Sequence, residues 1–356
     1  MKVFVVSGDA GGAQCVHAVC HELRRRNAAL EAWVYGPGHG VFQDGAKRLP
    51  EAPTSPEAAR EMLSAFEPDV LLLGTSVNKR EDEKVFLKSA RTLGIPSIAV
   101  LDFWSNYHGR FATRPAPSPL DALPDRIAVM DGSVDRDLEA LGIPSDRIAV
   151  TGQPAFDRLH ETPPSPGEIR SLRESMGCGS DQRLVLFASQ PFRELATQHG
   201  MAPVPFDEID LAQTVLASVH EIDACLWIRP HPREASAKFR PLADQGAIVA
   251  TTGSSIQALH AADDVVGMSS VFLLEAGILG KRVLSLQPGV NDGGPLPLAR
   301  LGLGTVITHH GCDAAIREWF TATPQTHERL PQPSDRAFLP GAAARVVDEI
   351  EFLASR

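Results

Sequence analysis

The residues with the clearest chemistry are Ser269 and Ser270, within DDVVGMSSVFLLEAG (263–277), and the run RPHPRE (229–234). Each follows a short apolar run that reads as a buried strand. The serines stand where a strand ends and a helix begins. Their hydroxyls would join the unbonded N–H groups of the first helical turn at the positive end of the helix dipole. That arrangement is a seat for phosphate. Glu275, one to two turns into the helix, would take paired ribose hydroxyls if it faces the ligand; the alternative is a surface charge. In RPHPRE, Pro230 and Pro232 fix the backbone around His231, and Arg229 supplies a guanidinium suited to anions. No second His or Cys stands at ligand spacing there, so the run reads as an anion site or a surface turn and not as a metal centre. Ser189 and Gln190, after the apolar run 184–188, are further phosphate or base contacts.

The N-terminal half carries a second set. GDAGGA (8–13) follows the first apolar run, KVFVVS. It lacks the GxGxxG spacing of dinucleotide loops and the Lys-Ser/Thr of a P-loop. Gly11 and Gly12 would let backbone approach a ligand, or simply allow close packing. Asp9 stands at the strand end as a general base or as the N-cap of the next helix; His17, further along that helix, is a weaker catalytic candidate. LDFWSNYHGRF (101–111) gathers Asp102, Trp104, Asn106, Tyr107 and Arg110 behind one apolar run, in a chain with only four Trp and two Tyr. Aromatic faces beside hydrogen-bonding groups suit a sugar or base pocket; a packed loop is the alternative. Asp102 is the second candidate base.

These groups need strands to deliver them. Apolar runs at Lys2–Gly8, Ala32–Tyr35, Pro68–Ser76, Ser97–Leu101, Arg126–Val129 and Arg147–Val150 alternate with helical patterns such as Pro56–Phe66 and Asp82–Leu93. Continuous apolar strands between helices predict a parallel sheet covered on both faces. After the proline-rich ETPPSPG (161–167), read as an interdomain linker, the alternation resumes. Strands are expected at Leu184–Ala188, Ala224–Ile228, Ala247–Ala250, Asp264–Val266 and Arg282–Leu286. Helices are expected at Leu211–Val219, Ser255–Ala261, Val271–Leu279 and Phe338–Leu353. The expected architecture is α/β: two Rossmann-like doubly wound domains facing across a cleft, with ligands beyond the carboxyl ends of the strands. The first domain is expected over residues 1–160, the linker over 161–180 and the second domain, with the phosphate seat, over 181–340. The last helix, 341–356, packs back on the first domain.

The 356 residues suit about two domains at roughly 100–200 residues each. A net charge of −10 argues against a nucleic-acid partner. No apolar run reaches the roughly 20 residues of a membrane helix, and the start does not read as a secretory signal. Five scattered cysteines without zinc or redox spacing read as cytoplasmic thiols.

Taken together these residues resemble GT-B-fold glycosyltransferases, a broad group that includes the UDP-N-acetylglucosamine 2-epimerases. Arg229–Glu234 and Ser269–Ser270 resemble the His-Pro and Ser-Ser motifs of capsule-type transferases that use CMP- or CDP-activated donors. The opening SGDAGGA is similar to the glycine-rich acceptor-side loop of lipid-A-disaccharide synthase. In place of the Ser-Gly-Gly turn of the epimerases this chain has Met268-Ser269-Ser270. The resemblance implies that His231 and the two serines contact donor phosphates and that Glu275 holds the donor ribose. It implies metal-independent transfer of a sugar from a nucleotide-activated donor, of CMP, CDP or UDP type, to a sugar or lipid-linked acceptor hydroxyl in bacterial surface polysaccharide or glycoconjugate synthesis. The nucleotide sugar is then a substrate and no cofactor is needed; a homodimer is left open. An epimerase or hydrolase acting on the nucleotide sugar, and a binding protein without turnover, are the rival expectations.

Overall fold

The structure, a computed structural model, describes residues 1–42, 45–77, 80–113, 118–179, 182–194, 204–250, 252–290, 294, 296–322 and 338–356. The chain divides into two compact units, Met1–His160 with Pro333–Arg356, and Glu161–Gln332. Each is built on one sheet, and every strand pair in both sheets is parallel.

Among the described residues the first unit has seven strands: β1 (Lys2–Ser7), β2 (Ala29–Val34), β3 (Lys47–Arg48), β4 (Val70–Leu73), β5 (Ser97–Val100), β6 (Arg126–Val129) and β7 (Ile148–Val150), ordered β3-β2-β1-β4-β5-β6-β7. The second has six: β8 (Leu184–Ala188), β9 (Cys225–Arg229), β10 (Ile248–Val249), β11 (Asp264–Gly267), β12 (Arg282–Leu286) and β13 (Thr305–Ile307), ordered β10-β9-β8-β11-β12-β13. Both orders run outward from the first strand, then reverse to its other side. The reversal lies between β1 and β4 in one unit and between β8 and β11 in the other. In doubly wound sheets ligands bind at that reversal, beyond the carboxyl ends of the strands.

The strands are apolar because both faces are covered. Phe4, Val5 and Val6 of β1 and all of β4 are buried. One face packs on the helix Ala10–Arg25 through Val16, Val19, Cys20 and Leu23, and on the C-terminal helix Ala342–Ala354 through Val346, Val347 and Ile350. That last helix is started by Asp157, whose carboxylate accepts from the N–H groups of Gly341, Ala342 and Ala343 at 2.9, 2.9 and 2.8 Å. It thereby satisfies donors that have no partner inside the helix. In the second unit Phe187, Leu211, Val215, Ile228, Phe239 and Leu284 form the corresponding core.

Three sequence readings are corrected. The stretch 161–180 is not all connecting chain, because Pro166 opens a helix to Ser175. Ser165 and Glu168 form a reciprocal capping box, and Pro at the first helical position costs no hydrogen bond. The short edge strands β3 and β13 escaped notice because they carry too few apolar residues to set a period. Gly267, ahead of the serines, could be read from the sequence as a place where backbone approaches a ligand. Its close approach is to the sheet itself, since a Cβ there would stand 2.9 Å from the Ala188 carbonyl of β8.

Candidate active site

At the reversal of the first sheet Val6 pairs with Leu73 and Leu73 with Ala99. Asp9, Ser76 and Asp102 therefore leave their strands at the same level. Asp9 has extended backbone before the helix Ala10–Arg25, but its side chain does not cap that helix. Its Oδ2 instead accepts from Val77 N at 2.8 Å, and its own N–H donates to Ser76 Oγ at 2.7 Å. Beneath this turn lies Glu83, which the sequence reading missed. It is 4% exposed and accepts from Gly8 N (3.1 Å), Ser76 N (2.7 Å) and Ser76 Oγ (3.0 Å). Burial, opposed by the Ser76 hydrogen bonds and helped by the charge of Asp9, pushes its pKa up to about 7. In sequence Glu83 looks like one of two acidic residues opening a helix, the ordinary complement to a helix dipole.

Asp102 pairs with the buried Arg110 at 2.5 Å, and Arg110 also donates to Thr75 O, Thr75 Oγ1 and Ser105 O. Arg110 is thus committed to the protein rather than to a pocket wall. Asp102 Oδ2 hangs over the first turn of the helix Ala10–Arg25, where a Cβ on Gly11 would stand only 2.4 Å from it. Gly12, the next residue, meets nothing closer than Thr75 N at 3.6 Å. Trp104 is another correction. It is 7% exposed, and its indole N–H donates to Asp131 Oδ2 at 2.7 Å, which makes it a core anchor. Asn106, in left-handed backbone, and Tyr107 begin the short helix Tyr107–Phe111; Asn106 is exposed and Tyr107 half-buried. His17 is not brought to the cluster. Eight residues of helix carry it about 12 Å from Asp9, where its ring packs on Phe42 and His21 at 4.9 and 4.6 Å. Burial, then His21 and Arg24, lower its pKa.

At the reversal of the second sheet Ala188 pairs with both Arg229 and Gly267. Ser189, Pro230 and Met268 leave the sheet side by side. Gln190 spans the reversal, its Oε1 accepting from Ser269 N at 2.7 Å. With its oxygen so engaged, the Gln190 amide presents its NH2 as donor. Ser270 is the N-cap of the helix Val271–Ile278 and accepts from Phe272 N at 3.3 Å. Glu275 is 5% exposed, which removes the surface-charge alternative. His231 is half-buried. Its Nδ1 accepts from Arg233 N at 3.2 Å, leaving the ring hydrogen on Nε2. Burial, then Arg233 and Lys238, lower its pKa and favour this neutral form.

Two expected contacts are otherwise engaged. Arg229 turns toward the loop after β10, donating to Gly253 O (3.4 Å) and Ser255 Oγ (3.3 Å). Ser189 is 4% exposed, and its hydroxyl donates to Glu234 Oε1 at 2.9 Å, so it has no proton left for a phosphate. Glu234, Glu208 and Glu194 bring carboxylate oxygens within 4.8 Å of one another. The ammonium of Lys238 already fills that space, bonded to Glu208 at 2.8 Å, to Glu194 at 3.1 Å and to Glu234. Among the described residues no helix is long and apolar enough to cross a membrane.

No family model matches the chain, and no curated protein matches it. Solved structures do. The UDP-GlcNAc 2-epimerase of Neisseria meningitidis bound to UDP-GlcNAc aligns with a TM-score of 0.70 at 16% identity, over 99% of this chain and 100% of that one. The UDP-GlcNAc 2-epimerase of Methanocaldococcus jannaschii aligns at 0.71 and 12%, over 99% and 100%. MurG of Acinetobacter baumannii aligns at 0.63 and 11%, over 99% of both chains. At these identities the likeness is one of fold: the chain is an α/β protein of two Rossmann-like domains with the GT-B architecture of the epimerases and MurG.

Proposed function

We propose that the chain is an enzyme of nucleotide-activated sugars that transfers the sugar to an acceptor hydroxyl without a metal. The observation that carries the reading is the Gln190–Ser269 bond across the reversal of the second sheet. It gathers a side-chain amide, two serine hydroxyls and a helix N-terminus where α/β sheets bind phosphate, with the His231 turn at the end of β9. In the reaction the acceptor oxygen forms its bond to the anomeric carbon as the carbon–oxygen bond to phosphate breaks. The electron pair stays on the phosphate, where neutral donors and the helix N-terminus stabilise it. The acceptor proton passes to a carboxylate base, for which Asp9 comes before Asp102 because Asp102 is tied to Arg110.

The epimerase reading is the second, favoured by the structural likeness to UDP-GlcNAc 2-epimerases, one of them bound to UDP-GlcNAc. Incubation with donor alone separates the two: product formed without acceptor refutes transfer. A thermal-shift panel of CMP, CDP, UDP, GDP and TDP tests the seat. A nucleotide held at 100 times its Kd adds about 2.7 kcal/mol to the folded state; a panel in which none raises the midpoint refutes both readings. Asp9→Asn should lower turnover at least about 100-fold, the usual scale of general-base catalysis, while leaving nucleotide affinity unchanged.

A further inference from the structure

The two loops beside the phosphate seat, after β8 and after β9, are tied to each other by one carboxylate. Glu234 Oε2 accepts from His231 N at 2.5 Å, and Oε1 takes the Ser189 hydroxyl at 2.9 Å. The turn is closed in the other direction by Glu234 N, which donates to His231 O at 2.8 Å. Pro230 and Pro232 remove two further degrees of backbone freedom. The side chain of Glu234 has no solvent exposure, and Lys238 balances its charge at Oε1, itself held by Glu208 and Glu194. Nothing in this arrangement is needed to close the sheet, because β8 and β9 are already paired along five residues, Leu184↔Cys225 to Ala188↔Arg229. The tie acts only beyond the strand ends.

We propose that Glu234 is the positioning residue of the seat. It holds the His231 turn in the one geometry in which Arg233 N–H occupies Nδ1 and the imidazole offers Nε2–H to the phosphate. It also turns the Ser189 hydroxyl away from the ligand, so that the serine serves the frame and not the phosphate. The inference rests on the seat reading above and deepens it, since it divides the strand-end residues into those that bind (Gln190, His231, Ser269, Ser270) and those that hold (Ser189, Glu234, Lys238). A glutamine at 234 keeps one acceptor oxygen but replaces the other with a donor, which opposes either the His231 N–H or the Lys238 ammonium.

The test uses the full chain and two variants, Glu234→Gln and Ser189→Ala, with two readouts. The first is the nitrogen–proton spectrum of 15N-labelled histidines without ligand. Wild type should show His231 as the Nε2–H tautomer, and E234Q should show mixed tautomers. The second is calorimetric affinity for whichever of CMP, CDP or UDP the wild type binds. Loss of a buried charge-assisted bond predicts about ten-fold weaker binding or more for E234Q. S189A keeps the carboxylate on His231 N and should lose no more than about three-fold on the same scale. Should E234Q fail to fold, S189A and Glu234→Asp carry the test, the shorter aspartate weakening binding as E234Q would. If wild type binds a nucleotide and E234Q binds it equally with an unchanged imidazole, the positioning role is overturned and the seat stands. If wild type binds none, the seat reading falls first and this inference with it.

Discussion

The placement of Asp102 over the helix Ala10–Arg25 can be read by adding one methyl group. Gly11 and Gly12 are neighbours in the same first helical turn, so replacing either by alanine brings the same backbone benefit, about 1 kcal/mol. Their surroundings differ. The new Cβ at 12 meets Thr75 N at 3.6 Å, ordinary contact, whereas at 11 it meets Asp102 Oδ2 at 2.4 Å. The carboxylate must move, and its other oxygen is bonded to Arg110, whose side chain is 4% exposed. Leaving a buried charge without its partner costs about 3–5 kcal/mol. Arg110 retains Thr75 and Ser105, so about 2–3 kcal/mol is expected. Gly12→Ala should then stabilise the N-terminal unit by about 1 kcal/mol and Gly11→Ala destabilise it by about 1–2 kcal/mol. Native-state hydrogen exchange of β1 and β4 reads that unit alone. With Asp102→Ala in the background the obstacle is gone, and G11A should become stabilising like G12A. Equal stability of G11A and G12A in the otherwise native chain would refute the reasoning, as would a G11A penalty that survives in D102A.

Glu83 gives a pH signature. A carboxyl raised from 4.5 to about 7 on folding holds its proton more tightly in the folded state. Its contribution is therefore full below pH 4.5 and lost as pH rises toward 7, about 3 kcal/mol in all. Urea denaturation between pH 5 and 8 should show this fall, and Glu83→Gln should flatten it; parallel curves would show that Glu83 is not the group. Asp157→Ala removes the acceptor of three N–H groups at the start of the C-terminal helix. It should cost about 1–2 kcal/mol and speed amide exchange at 341–343, and unchanged exchange there would contradict the cap. Ser270→Ala should weaken nucleotide binding and also fray the helix Val271–Ile278 by about 1 kcal/mol; fraying with unchanged binding would place the hydroxyl outside the phosphate contact.

Where the sequence reading succeeded, the signal was local. Leu184–Ala188 is an unbroken apolar run, and Ser97–Val100, Arg126–Val129 and Arg282–Leu286 are apolar after their first residue, the last interrupted only by Ser285; a run that must be buried on both faces has few other ways to fold. Strand ends follow from strand positions, so Asp9, Asp102, Gln190, Ser269 and Ser270 could be placed from their neighbours alone. The errors concern what each side chain touches. Trp104 and Arg110 carry the same chemistry whether they face a ligand or a core. Their assignment turned on Asp131 and Thr75, 27 and 35 residues away. Arg229 ends its strand as expected but bonds to Gly253 and Ser255, in the segment after β10.

The same limit explains why the residues that hold the two sites were overlooked. Glu83 reaches Gly8 across 75 residues and Glu234 reaches Ser189 across 45. Each is a buried carboxylate that joins two loops: Glu83 accepts from Gly8 N, Ser76 N and Ser76 Oγ, and Glu234 from His231 N and Ser189 Oγ. A strand end is a place where hydrogen-bonding partners within the sheet run out, so the loops beyond it need a polar tie or they move. A carboxylate is well suited to that task, since it accepts several bonds and donates none. Burying its charge is costly, and the two units meet that cost differently. Lys238 balances Glu234, whereas Glu83 has the Asp9 charge nearby and holds its proton to about pH 7. The N-terminal tie therefore changes protonation near neutral pH, and the support of the loop carrying Asp9 depends on pH.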